Sequence, residues 1–207
     1  LMTLKGTSSL QRTTYFHLCV HNSMLIFQKQ PISLDSGIIE FSYLDIVKSA
    51  GHSCPTVLGA YLMTLEGLKA LYKDEIPKRG EIIVEFKESQ TTGVAGVIGN
   101  VITNITGATT TNGFKGIAGK YDRNYLMKFD KDISGASVRF VRADTQKKVD
   151  VTYDPNSIFP DRNMSVLMQK SIQGTATNEE RIEFGRLWQK RVEDISNNIN
   201  QVINIKE

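Results

Sequence analysis

The run from Pro55 to Tyr72 constrains the fold of this chain more than any other segment. Its apolar positions Leu58, Tyr61, Leu62, Leu65, Leu68 and Tyr72 recur at spacings of three and four, which is the period of an amphipathic helix. Proline suits the first helical position because its missing N–H would lack an intrahelical partner anyway. The helix therefore starts at Pro55, with Cys54 at or next to its N-cap. A thiol there faces the positive end of the helix dipole, an arrangement expected to favour the thiolate. It also places His52 and Cys54 in a loop aimed at a helix N-terminus, where a thiolate, a metal or an anion is well accommodated.

Further elements follow the same kind of signal. Residues 15 to 21 alternate in type, so that as a strand His17, Cys19 and His21 share one face and Phe16, Leu18 and Val20 the other. Pro31 to Gly37 reads as a loop and Phe41 to Ser49 as a short helix. Ile82–Phe86 reads as a strand, and the glycine-containing run 91 to 107 as a buried helix. Thr109 to Gly119 reads as a loop turning at Asn112-Gly113. Strands are expected at 125–129, 137–142 and 148–153, the last two forming a hairpin around Ala143–Gln146. Thr177 to Glu180 forms a capping box ahead of a closing helix with Phe184, Leu187, Trp188, Val192 and Ile195 on one side. The fold class expected is α+β, with helices packed on one side of a mostly antiparallel sheet and a C-terminal helical extension. The chain divides into an N-terminal segment (1–40), an α+β core (41–160) and the extension (161–207).

With 207 residues, 40% of them hydrophobic, the chain has the material for one proper core. Its +3 net charge is dispersed among acids, and without a basic stripe interleaved with aromatics nucleic acid is not an expected partner. No apolar run approaches the roughly 20 residues of a membrane span, and the first residues do not read as a secretory signal. A cytoplasmic, reducing location is the expectation, in which thiols serve metal or redox chemistry in preference to a bridge.

All three histidines and both cysteines lie between His17 and Cys54. Zinc accepts imidazole nitrogen and thiolate sulfur, so His52 and Cys54 are candidate ligands for Zn²⁺ or another transition metal. The alternative is a loop histidine beside a small buried cap. His17, Cys19 and His21 can complete the set: alternate strand residues lie about 6–7 Å apart, close enough for two of them to converge on one ion. The same trio also suits a solvated strand face or an arm at a contact between protomers. Lys115, Lys120, Asp122 and Arg123 flank a glycine-rich loop and are candidates for holding a small anionic ligand, against the simpler reading of a turn with solvated charges. The cations of the closing helix, Arg181, Arg186, Lys190 and Arg191, read as a solvated face, and Trp188 and Phe184 as core residues or as a homodimer contact.

The stretch Ala50-Gly51-His52-Ser53-Cys54-Pro55, followed by a helix with Gly59, Ala60 and Tyr61, resembles the E-subunit family of formylmethanofuran dehydrogenase, which typically reads His-Gly-His-x-Cys-Pro-Gly before such a helix. Downstream, Glu81–Glu88, Gly93–Ile105, Thr106-Gly107-Ala108-Thr109, Gly113-Phe114-Lys115-Gly116 and Gly119-Lys120-Tyr121 are similar to the family's strand, helix, Thr-Gly-Cys-Thr, Gly-Lys-Gly and Gly-Lys elements. The likeness runs over roughly 40 to 155. This chain has Ala50 for the family's first histidine, Ala108 for a cysteine, and Val97 and Asn100 for the usual cysteine and aspartate of the second helix. Of the family's typical ligands His52 and Cys54 remain. The resemblance implies a topology like the α+β domain of glyceraldehyde-3-phosphate dehydrogenase, a likeness of fold and not of chemistry. It does not imply iron–sulfur ligation, which needs four cysteines. The function implied is a metal-binding protein with a His/Cys site at a helix N-terminus; in an enzyme of this kind the reactive group is a metal-activated water or a thiolate at Cys54. The alternative is a non-catalytic small-ligand-binding module or accessory protein without the family's metal chemistry.

Overall fold

The structure is a computed structural model that describes residues 29–34, 37–135 and 137–207. Two strands, β1 (Lys29–Leu34) and β2 (Gly37–Ser42), form an antiparallel hairpin. Helix α1 (Tyr43–Ala50) follows directly, then α2 (Pro55–Tyr72), β3 (Ile82–Phe86) and α3 (Ala95–Thr106). Next come the two-residue β4 (Met127–Lys128), β5 (Val138–Arg142) and β6 (Lys148–Tyr153). After a 3₁₀ turn at Pro155–Ser157 the chain forms α4 (Met164–Gln173), α5 (Asn178–Ser196), the single turn α6 (Ile199–Val202) and β7 (Ile203–Lys206). The main sheet has the order β4-β3-β5-β6-β7, antiparallel except for β3 beside β4. This is the α+β architecture expected from the sequence.

Helix α2 departs from the expectation in one respect. It has hardly any polar face: thirteen of its eighteen residues are buried, so it is a central helix rather than an amphipathic one. It packs against β5, β6 and β7 on one side and touches α1, α3 and α5 elsewhere. Two glycines permit the close approach to the sheet. A Cβ at Gly59 would collide with the ring of Tyr153 on β6, and one at Gly67 would stand 2.8 Å from Phe140 on β5. Thr64, fully buried, satisfies its hydroxyl on the Ala60 carbonyl at 2.7 Å, as a buried hydroxyl must.

The hairpin corrects a second expectation. Pro31 to Leu34 is strand and not loop, because tertiary partners hold it. Ile32 is fully buried, the Ser33 N–H donates to the Pro77 carbonyl, and the Arg79 N–H donates to the Ser33 carbonyl. Helix α1 starts two residues later than the apolar pattern suggests, since Ser42 and Asp45 form a capping box that ends β2 at Ser42. The C-terminal extension is not wholly helical either. Its last strand, β7, pairs with β6 through Val151–Ile205 and Tyr153–Ile203, and four residues are too few for a legible period. Among the described residues no helix is long and apolar enough to cross a membrane.

Because the Tyr153 ring lies on Gly59, Gly59→Ala forces that ring or the helix to move. We expect a loss of about 1–3 kcal/mol, the usual range for overpacking a core, read as a lower urea midpoint at unchanged slope. Adding Tyr153→Ala should make the Gly59→Ala step nearly neutral.

Candidate functional site

The loop between α1 and α2 is tied down at every residue. Gly51 ends α1 in the left-handed region, φ +78°, with its N–H on the Val47 carbonyl at 2.9 Å. A glycine adopts that conformation without the Cβ penalty. His52, exposed, has Nδ1 3.1 Å from the Ala50 carbonyl. A carbonyl only accepts, so Nδ1 is the donor in this contact, and the tautomer that makes it has its lone pair on Nε2. Ser53 is buried, its hydroxyl 2.9 Å from the Tyr43 phenol, and its carbonyl accepts the Trp188 indole N–H at 3.0 Å. Cys54 is the N-cap of α2, with its sulfur accepting the Val57 N–H at 3.3 Å, and it is a free thiol 8% exposed. The Pro55 carbonyl accepts the Tyr153 hydroxyl at 2.9 Å.

These residues form one wall of a cleft of about 1280 Å³. His52, Cys54 and Thr56 line it from the core, and the segment Phe159–Arg162, α4 (Met164, Met168) and α5 (Trp188, Arg191) line it from the extension. Trp188 bridges the main core and a small cluster of Met164, Phe184 and Leu187, with its ring 5.6 Å from that of Phe184. Arg191 donates to the Ile158 carbonyl. Burial raises the Tyr153 phenol well above the usual tyrosine range. The nearby Arg191 charge acts the other way, and Cys54 adds to the rise. Tyr153 is thus a neutral donor at any ordinary pH. Burial likewise raises Tyr43, against the hydrogen bond shared with Ser53.

The sequence-predicted residues fall into three groups. His52 and Cys54 share the cleft. His17, Cys19 and His21 lie outside the described residues. Lys115, Lys120, Asp122 and Arg123 do not line the cleft. Lys115 and Lys120 are exposed, and Asp122 accepts the Asn124 N–H at 2.8 Å. Arg123 packs its guanidinium over Gly80 and Gly107, where an added Cβ would meet it. Among the described residues, no group of three or more His, Cys, Asp and Glu gathers closely enough to hold an ion. The cleft contributions of Trp188, Arg191, Met164 and Met168 were not expected from sequence. Arg191 in particular reads as solvated, and only its place on the Trp188 side of α5 hints otherwise.

The sequence profile of FmdE, described as belonging to the molybdenum formylmethanofuran dehydrogenase operon, matches residues 50–203. The chain belongs to the FmdE family. The match begins at the cleft loop and extends through α4 and α5, so both cleft walls lie inside the FmdE region. No curated protein matches the chain.

Trp188 holds the Ser53 carbonyl beside the buried thiol. In a Cys19→Ser background, Trp188→Phe should cost about 1 kcal/mol for the lost hydrogen bond. It should also speed the reaction of Cys54 with a disulfide reagent several-fold, measured against the unfolding curve to separate local from global opening.

Proposed function

We propose that this FmdE-family chain binds a small molecule in the cleft, and that His52 and Cys54 act there as a half-site for Zn²⁺ or another transition metal. The observation that carries the reading is the Nδ1 contact of His52 with the Ala50 carbonyl, made in the same cleft that Cys54 lines. Metal-bound histidines commonly donate their second nitrogen to a carbonyl in this way, which leaves the other to the ion. Imidazole and thiolate suit zinc chemically, and the remaining positions fall to water, to the bound molecule or to the His17, Cys19 and His21 segment. A bound ion would supply Lewis acidity at this point. Of the chain's own groups, Cys54 is the one we assign as reactive, His52 as its neighbouring donor, and Tyr153 as the neutral hydrogen-bond donor that holds the Pro55 carbonyl. A reducing, cytoplasmic setting suits a free thiol at Cys54.

A second reading, a binding module or accessory protein without metal, is favoured by the absence of a third donor near the pair among the described residues. Elemental analysis of protein purified without chelator separates the two. The metal reading predicts close to one transition-metal ion per chain. His52→Ala and Cys54→Ser should lose it with the circular-dichroism spectrum unchanged, serine being as good an N-cap as any residue. Metal-free protein, or variants that keep full occupancy, would reject His52 and Cys54 as ligands. The module reading instead predicts metal-free protein whose Tm rises with the bound molecule.

A further inference from the structure

Among the described residues, three arginines pair with acids. Arg139 meets Asp150, Arg142 meets Glu75 and Asp144, and Arg186 meets Glu183. The cleft holds two that do not. Arg162 and Arg191 both line it, and among the described residues neither has a carboxylate partner. Arg191 spends one N–H group on the Ile158 carbonyl, leaving most of its five donors free. The single acid of the lining is Asp161, which accepts the Asn163 N–H at 2.8 Å. The amino end of α2 opens onto the same space and adds partial positive charge.

Most of the remaining wall is apolar, Thr56 and Ser165 apart. Phe159 is 84% exposed at the edge of the cleft, and Met168 is also exposed. Met164, Pro160 and Trp188 complete that side. Exposed aromatic and thioether groups around a concavity mark a binding surface, and methionines adapt to ligands of differing shape. Two unpaired guanidiniums beside such a surface complement a molecule with an acidic head and an apolar body.

We propose that the cleft binds a small organic anion, its carboxylate or phosphate on Arg162 and Arg191 and its aromatic or hydrocarbon body against Trp188, Phe159 and the two methionines. This rests on the cleft being the ligand site, and it does not require the ion at His52 and Cys54. It therefore stands or falls on chelator-treated, metal-free protein, whereas the metal reading is decided by metal content alone.

Trp188 is the chain's single tryptophan, so its fluorescence reports on the cleft directly. Full-length, metal-free protein is titrated with phenylacetate, 4-phenylbutyrate, octanoate and phenyl phosphate, each paired with a neutral alcohol of the same body. The proposal expects saturable changes in Trp188 emission from at least one anion below about 10 mM, with its alcohol binding at least tenfold more weakly. Arg162→Glu, at an exposed side chain with no partner to lose, should weaken that anion about tenfold or more and leave the alcohol within about twofold. Arg191→Lys should retain more anion affinity than Arg191→Gln, with both compared well below their Tm because each disturbs the contact with the Ile158 carbonyl. Three results would overturn the proposal. One is alcohols that match their anions, and another is an Arg162→Glu variant that binds like wild type. The third is no saturable response to any of the four anions, as expected if a second copy or another segment of the chain fills the cleft.

Discussion

Helix α2 is buried on nearly all sides, and the rest of the molecule is arranged to cover it. A helix of this kind must find apolar partners around its whole circumference, and here the sheet supplies one side and α1, α3 and α5 the others. Gly59 and Gly67 set how near the sheet can come, because Tyr153 and Phe140 occupy the space their side chains would take. Burial of this extent leaves the helix little freedom to shift, so its N-terminus is a fixed point. The loop that carries His52 and Cys54 is anchored to that point.

The C-terminal helices turn the fixed point into a cleft. The indole N–H of Trp188 reaches the Ser53 carbonyl, and Phe184 and Leu187 seat α5 against Met164 of α4. That wall faces His52 and Cys54 across the cleft. With it, a thiol, an imidazole, two unpaired guanidiniums and an apolar lip face one volume. The FmdE match spans both walls. Positions 50 and 108 carry alanine and can supply no side-chain donor. Ala108 is fully buried in the core, so the position now serves packing.

Local signals recovered the elements whose ends are marked by chemistry. Pro55 and Cys54 delimit α2 to the residue, and the capping box at Thr177 and Glu180 delimits α5. The β5–β6 hairpin appears where the alternation and its turn place it. Elements held by distant partners were not legible. Strand β1 contains a proline and depends on Pro77 and Arg79, and β7 is only four residues long. The site divides in the same way. His52 and Cys54 are visible as a motif, but their opposite wall is joined through a hydrogen bond spanning 135 positions, and no periodicity within a helix encodes that. Arg191 reads as one more solvated cation like Arg186, which does pair on the surface with Glu183; only its spacing of three from Trp188 sets it apart.

The central claim is that the N-terminus of α2 presents His52 and Cys54 to the cleft as donors for one ion. Crystals grown with Zn²⁺ and examined by anomalous diffraction at the zinc edge test it most directly. The account predicts one dominant peak within bonding distance of both Cys54 Sγ and His52 Nε2, about 2.3 Å and about 2.0–2.1 Å respectively. A dominant peak elsewhere in the molecule, or well-ordered density for this loop with no peak beside it, would contradict the claim.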